Sequence, residues 1–217
     1  MTLLKDKDRD QITQVFNQKL TGKVKLVYFT QELECETCAL TGQLLGEVAA
    51  LSDKIELVTR NFVLDKDDAD KYKVDKIPAL VILGEGDKDW GIRFFGIPAG
   101  YEFTALIEDI IDVSAGTHNL PQAIVDELAK IDKPVNIQAL VSPNCPYCPK
   151  AVRTAHRFAM ANPNIMGSMV EVSEFPWLAQ KYNVQGVPTS IVNETGSVVG
   201  AVPETEVLKK VLEVLGE

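Results

Sequence analysis

The chain has 217 residues, 46% hydrophobic and 24% charged, with a net charge of −9. That length suits two domains of roughly 100 residues each, and the apolar fraction allows each a core. The acidic balance, with no basic stripe, argues against binding a phosphate backbone, which requires Lys and Arg to displace counterions.

In chain order, Ile12, Val15, Phe16 and Leu20 recur at helical spacing and predict a helix over 10–20, stopped by Thr21-Gly22. Residues 24–30 read as a buried strand. Cys38 opens a helix carried by Leu40, Leu44, Leu45 and Val48, despite Gly42 and Gly46. A strand is expected over 55–63, followed by a charged, solvated stretch over 65–73. Strands over 79–83 and 91–95 form a hairpin across a polar loop, 84–90, rich in turn formers. A helix over 103–113 ends the first half, and the small, polar stretch 114–119, interrupted by Gly116, is the linker.

Pro121 sits where a helix would start, with Ile124, Val125, Leu128 and Ile131 on its apolar face. The plan then repeats: strand 135–141, helix 148–161, strand 168–172, short helix 175–182, hairpin strands 189–193 and 198–202, and helix 207–215. The order within each half implies a parallel βαβ unit followed by an antiparallel hairpin, with helices on both faces. The fold class is therefore α/β, with two tandem domains, 1–115 and 116–217, each a mixed central sheet flanked by helices.

All four cysteines lie in two Cys-x-x-Cys motifs, Cys35-Glu-Thr-Cys38 and Cys145-Pro-Tyr-Cys148. In each half an aliphatic-Pro pair follows, Ile77-Pro78 and Val187-Pro188, with the proline 43 residues beyond the first cysteine. Tyr72 and Val74 likewise recur as Tyr182 and Val184, a uniform shift of 110. Landmarks at one offset indicate an internal duplication, and each copy carries a dithiol.

A dithiol exchanger needs one partly ionised thiol to attack and a second within reach to resolve the mixed disulfide. Two intervening residues at a helix start supply both, and the helix N-terminus favours the thiolate. Cys35 and Cys145 are the expected nucleophiles; Cys38 and Cys148 resolve. No cysteine lies outside a pair, so the expected disulfides are Cys35–Cys38 and Cys145–Cys148. Glu34 and Glu36 flank Cys35 and disfavour its thiolate, so Cys145 is expected to have the lower pKa.

A zinc ribbon would need the two pairs close together, but 106 residues separate them, and no metal is expected. His156 lies 11 residues beyond Cys145, about 16 Å along a helix and too far to act as its base. His118 falls in the linker. Trp90 and Trp177 read as partly buried anchors. No Gly-x-Gly-x-x-Gly fingerprint is present, so no dinucleotide or other cofactor is expected. The start of the chain runs at once into Asp6-Lys7-Asp8-Arg9-Asp10, and no apolar run approaches bilayer length. A cytoplasmic setting is expected, where disulfides tend to be transient and catalytic.

Together these motifs resemble the glutaredoxin-like protein disulfide oxidoreductases of archaea and thermophilic bacteria, tandem thioredoxin-fold proteins. The segment Gly91-Ile-Arg-Phe-Phe-Gly-Ile-Pro-Ala-Gly100, the glutaredoxin-type Cys145-Pro-Tyr-Cys148 and the following Pro149-Lys-Ala-Val-Arg153 carry the likeness across nearly the whole chain. The resemblance implies two thioredoxin-like domains packed as one unit, with both dithiols reducing, oxidising or isomerising disulfides of client proteins. It also implies that Pro78 and Pro188 are cis and, with Ile77 and Val187, hold an extended client segment beside the attacking sulfur. A thioredoxin-reductase-like flavoprotein is the expected electron donor. Glu34 and Asn144 stand where thioredoxins carry a Trp, which departs from the pattern that ordinary thioredoxin partners meet. Two alternatives remain. One is an electron relay resembling the tandem thioredoxin-like region of alkyl hydroperoxide reductase flavoproteins, which keeps one active dithiol. The other is a non-enzymatic peptide- or zinc-binding protein.

Overall fold

A computed structural model describes residues 2–216. The first half runs α1 (Asp6–Lys19), β1 (Val24–Thr30), α2 (Cys38–Ala49), β2 (Ile55–Asn61), α3 (Lys66–Lys71), β3 (Ala79–Gly84), β4 (Lys88–Phe95) and α4 (Glu102–Ala115). The second runs α5 (Gln122–Leu128), β5 (Val135–Val141), α6 (Cys148–Ala161), β6 (Ile165–Glu171), α7 (Pro176–Lys181), β7 (Thr189–Val192), β8 (Gly196–Val199) and α8 (Glu204–Leu215).

All eight strands form one sheet in the order β2-β1-β3-β4-β6-β5-β7-β8. Within each half the first two strands pair in parallel and the hairpin adds antiparallel strands, β1 with β3 and β5 with β7. The joint between the halves is a parallel ladder, from Ile92 opposite Gly167 to Phe95 opposite Val170. It is head to tail: the last strand of the first half meets the second strand of the second. β3 is buried at every position, as a strand covered on both faces must be. Two of the three apolar clusters cross the joint. One places Leu106 and Ile110 of α4 with Cys148 and Val152 of α6; the other, on the opposite face, gathers Phe29, Val81, Phe95, Leu140 and Phe175.

Several boundaries differ from expectation, each for a local reason. β4 begins at Lys88, three residues before the expected start, because the loop tightens into a 3-10 turn over Glu85–Asp87 with Gly86 at φ 70° and Asp87 at φ 60°. β8 occupies Gly196–Val199 rather than 198–202, because the three-residue connection 193–195 turns tightly, with Asn193 at φ 45°, Glu194 at φ 63° and the Thr195 N–H on the Val192 carbonyl at 3.1 Å. β6 begins at Ile165 rather than 168. Ser114 and Ala115 belong to α4 rather than to a linker, and Gly116, at φ 64°, ends the helix. Ser114 instead receives the Thr21 N–H at 2.7 Å, fastening the turn after α1. Trp177 is 53% exposed rather than an anchor.

Candidate active site

β1 ends at Thr30, and residues 31–37 carry the chain to Cys38, the first residue of α2. Cys35 and Cys38 form a disulfide with their Cα atoms 5.4 Å apart. The first turn of a helix presents unpaired N–H groups and the positive end of the dipole, so a thiolate here is favoured. The turn is pinned from the strand: the Tyr28 hydroxyl donates to the Cys38 carbonyl at 2.6 Å. Thr41 caps it from above, donating its hydroxyl to the Thr37 carbonyl at 2.8 Å. Cys38 is buried while Cys35 is partly exposed, so Cys35 is the accessible sulfur of the pair.

The second pair repeats this geometry at the start of α6. Cys145 and Cys148 form a disulfide, again with Cα atoms 5.4 Å apart. The Cys145 N–H donates to the Ser142 carbonyl at 3.1 Å, and the Cys148 N–H to the Cys145 carbonyl at 3.3 Å. Cys145 is 9% exposed and Cys148 fully buried.

The Ile77–Pro78 and Val187–Pro188 bonds are both cis. Each proline carbonyl accepts an N–H from the glycine that ends its hairpin, Gly96 to Pro78 at 2.9 Å and Gly200 to Pro188 at 2.8 Å. The structure brings each aliphatic-Pro pair to its own dithiol. Ile77 and Pro78 line, with Cys35, a cleft of about 600 Å³ between the halves. The Val187 carbonyl oxygen lies 3.8 Å from the Cys145 sulfur.

What sequence reasoning misses is a set of acidic groups around these pairs. From the second half, Glu174 reaches the first dithiol: its carboxylate accepts the Thr37 hydroxyl and the Ile97 N–H, the latter at 2.6 Å. Burial pushes its pKa up, and Glu171 adds to this, while the Thr37 hydroxyl and Ile97 amide pull the other way. Glu171 is 2% exposed; one of its oxygens accepts the Glu174 N–H at 2.9 Å, and Oε1 has no partner among the described residues. Gly96 makes room for both: it sits at φ 90°, and a Cβ there would fall 2.7 Å from Glu171 Cβ and from Glu174 Oε1. The shift of 110 that aligns the halves puts Asn61 and Leu64 at the matching positions of the first half, so the break in the repeat is the available signal.

Near the second dithiol, α4 and α6 lie side by side with their N-termini at one end, where the Tyr101 N–H donates to the Pro143 carbonyl at 3.0 Å. Glu102, the first residue of α4, is fully buried with neither carboxylate oxygen partnered among the described residues, and desolvation raises its pKa to about 8. Further along, Arg153 of α6 pairs with Glu108, Asp109 and Asp112 of α4. His156 is wholly buried, with one ring nitrogen 2.6 Å from Asp109 and the other 3.1 Å from the Arg93 carbonyl. It is a strut between the helices and the seam strand. Among the described residues no cluster of three or more His, Cys, Asp or Glu could hold a metal ion. None of the described helices is long and apolar enough to cross a membrane.

A thioredoxin-domain family model matches residues 135–213. The protein disulfide oxidoreductase of Aeropyrum pernix K1 superposes on 100% of the chain, covering 96% of its own, with a TM-score of 0.91 and 29% identity. A structure of the alkyl hydroperoxide reductase AhpF from Enterococcus faecalis covers 95% of the chain and 98% of its own, with a TM-score of 0.87 and 29% identity. In sequence, a Bacillus subtilis NADH dehydrogenase is 27% identical over 77% of the chain, which spans 30% of that protein. The corresponding alkyl hydroperoxide reductase protein of Escherichia coli is 28% identical over 89% of the chain, which spans 35% of it. The chain has the thioredoxin fold, with two disulfide-forming Cys-x-x-Cys pairs.

Proposed function

We propose that this thioredoxin-fold chain is a protein disulfide oxidoreductase that works by thiol–disulfide exchange at both of its Cys-x-x-Cys pairs. One observation carries the reading. Twice in one chain, a disulfide-bonded pair stands where a strand turns into a helix, beside an aliphatic-proline turn. In the reductive direction the Cys35 or Cys145 thiolate attacks a client disulfide and releases one client thiolate. Cys38 or Cys148 then attacks the mixed disulfide, freeing the second client thiolate and leaving the protein disulfide. Two electrons pass to the client; the reverse sequence oxidises a client dithiol. Ile77-Pro78 and Val187-Pro188 hold the client backbone beside the attacking sulfur. The division of labour follows the duplication, 1–115 and 116–217, with one dithiol in each domain. A thioredoxin-reductase-like flavoprotein re-reduces the pairs, in a cytoplasmic setting, and the clients are proteins with accessible disulfides or thiols.

Insulin-disulfide reduction by Cys35→Ser, Cys145→Ser and the double variant tests this reading. Partial loss in each single variant and complete loss in the double is the expected result. Full activity in the double variant would refute it.

A second reading is favoured by the sequence relatives, of which the chain spans only about a third. As a relay within such a system, one dithiol alone would carry electrons. Loss of insulin reduction in one single variant, with no effect in the other, is the outcome that supports it.

A further inference from the structure

We propose that the cleft between the halves reads the client of the first dithiol, and that Glu171 and Glu174 select clients bearing Lys or Arg beside the disulfide. The proposal rests on the oxidoreductase reading and names the substrate class of one of its two sites.

The cleft opens at Cys35 and Pro78, which belong to the first half, but Glu171, Ser173 and Glu174 from the second half form its opposite wall, continued by Ser142, Pro143 and Asn144 just before the second motif; of the four cysteines only Cys35 lines it. Four carboxylates line it, the two above and the motif residues Glu34 and Glu36, and no cationic side chain does. The nearest cation along the chain, Lys76, is committed elsewhere, 2.6 Å from Asp75 and 3.8 Å from the centre of the Phe95 ring. Glu171 is the independent sign of a missing partner. It is 2% exposed and lines the cleft, yet its Oε1 accepts no hydrogen bond among the described residues. A buried carboxylate oxygen left open is costly, and a guanidinium or ammonium from a bound segment is the group that satisfies it. Glu174 is held in place by the Thr37 hydroxyl and the Ile97 amide, so a cation that pairs with the wall is placed beside the motif that does the exchange. At the second dithiol the arrangement has no counterpart, because the first half carries Asn61 and Leu64 at the matching positions.

The reaction read in the test is one round of exchange. The Cys35 thiolate displaces one peptide thiolate, Cys38 displaces the other, and the protein gains the disulfide that the peptide loses. Full-length chains with the second dithiol silenced by Cys145→Ser and Cys148→Ser are reduced and mixed with two synthetic peptides. Both peptides share one disulfide loop and differ only in having lysines or glutamates flanking it. The lysine peptide is expected to react about tenfold faster at low ionic strength, with the ratio shrinking at high salt as charge pairs are screened. Adding Glu171→Gln and Glu174→Gln should bring the ratio close to one. In the mirror chain, silenced by Cys35→Ser and Cys38→Ser, the two replacements should change the peptide ratio less than at the first dithiol, and an equal change there would overturn the assignment to the first site; circular dichroism checks that they preserve the fold. Equal rates for the two peptides in the parent chain, a ratio indifferent to salt, or a ratio that survives the paired Gln replacements would each overturn the proposal. Reaction of the parent chain with neither peptide, while the mirror chain reacts, would also overturn it; reaction of neither chain with either peptide would instead overturn the oxidoreductase reading itself.

Discussion

At the first dithiol the residue before the second cysteine is Thr37, whose hydroxyl is held by Glu174 of the other half. At the second dithiol the matching residue is Tyr147, and its side chain is 70% exposed. The same contrast runs through the surroundings. The last residue of β6, Glu171, and Glu174 in the connection to α7 line the cleft of the first motif, whereas the β2–α3 connection faces solvent, with Leu64 83% exposed. Glu102 at the start of α4 is fully buried under α6, while Glu206 in the first turn of α8 is exposed. Duplication copies the strand–turn–helix that activates a thiol. A head-to-tail joint cannot copy what lies beyond it, since each half meets a different neighbour.

The largest expected effect separates Glu102 from Glu206. Folded, Glu102 keeps its proton up to about pH 8, against 4.5 for the free carboxyl. Its contribution to stability is therefore fully present below pH 4.5 and is lost as pH rises through 8, where the buried group must ionise. That loss is on the order of a few kcal/mol. Urea unfolding at pH 5 and pH 9 should show the gap narrowing by that amount in Glu102→Gln and staying unchanged in Glu206→Gln. An equal gap in both variants would remove the distinction between the two helix starts.

Next come the hairpin glycines. Gly96 and Gly200 both have positive φ, 90° and 89°, but only Gly96 is crowded; nothing lies within 4 Å of a Cβ at 200. Gly96→Ala should cost about 3 kcal/mol through strain and displaced carboxylates, and Gly200→Ala about 1 kcal/mol for conformation alone. Thermal unfolding of the two variants gives the comparison, and equal losses would argue that the carboxylates are not held tightly.

The thiols themselves should differ in acidity, because nearby negative charge disfavours a thiolate. Cys35 is flanked in sequence by Glu34 and Glu36 and itself lines the cleft that holds Glu174, while the neighbours of Cys145, Asn144 and Pro146, carry no charge. Thiolate absorbance against pH in Cys38→Ser and Cys148→Ser should place Cys145 lower. A Cys35 value at or below that of Cys145 would reverse the assignment.

The smallest contrast is between the residues preceding the resolving cysteines. Thr37→Val removes a charge-assisted hydrogen bond and should cost about 1–2 kcal/mol; Tyr147→Val should stay within about 0.5 kcal/mol. Denaturant midpoints measured side by side decide between them, and equal shifts would mean that the Glu174 contact adds nothing.

The strands and helices legible in the sequence are those whose pattern is set by their own residues. Val24–Thr30, Val135–Val141 and Cys148–Ala161 stand at the positions the sequence predicts, because β-branched runs and a clean apolar face need no distant information. The start of β6 is hidden because Gly167 interrupts its apolar run. In the fold that glycine lets β6 lie directly against the Ala155 carbonyl of α6, with no space for a Cβ. The bounds of β8 are hidden because Glu194 is an uncommon residue for positive φ. Around the dithiols, the cysteines and prolines are visible as a repeat, since the duplication fixes their spacing. The acidic wall is not, because Thr37 and Glu174 lie 137 residues apart and meet only across the joint.

The joint itself is made by Ile92, Arg93, Phe94 and Phe95, every one of them buried. In the second half the strand that would offer the same edge is Gly196–Val199, four residues long and buried only at its first. At the other rim, β2 carries the charged Glu56 and Arg60. A head-to-tail contact that does not close can in principle add units without limit. Here a further strand would find a four-residue edge at one end, with Val199 its one strongly exposed apolar side chain, and charged side chains at the other; short edges and edge charges are devices that keep open sheets from recruiting further chains. The shortened hairpin thus leaves the second copy without the long buried edge that the first copy presents to its neighbour.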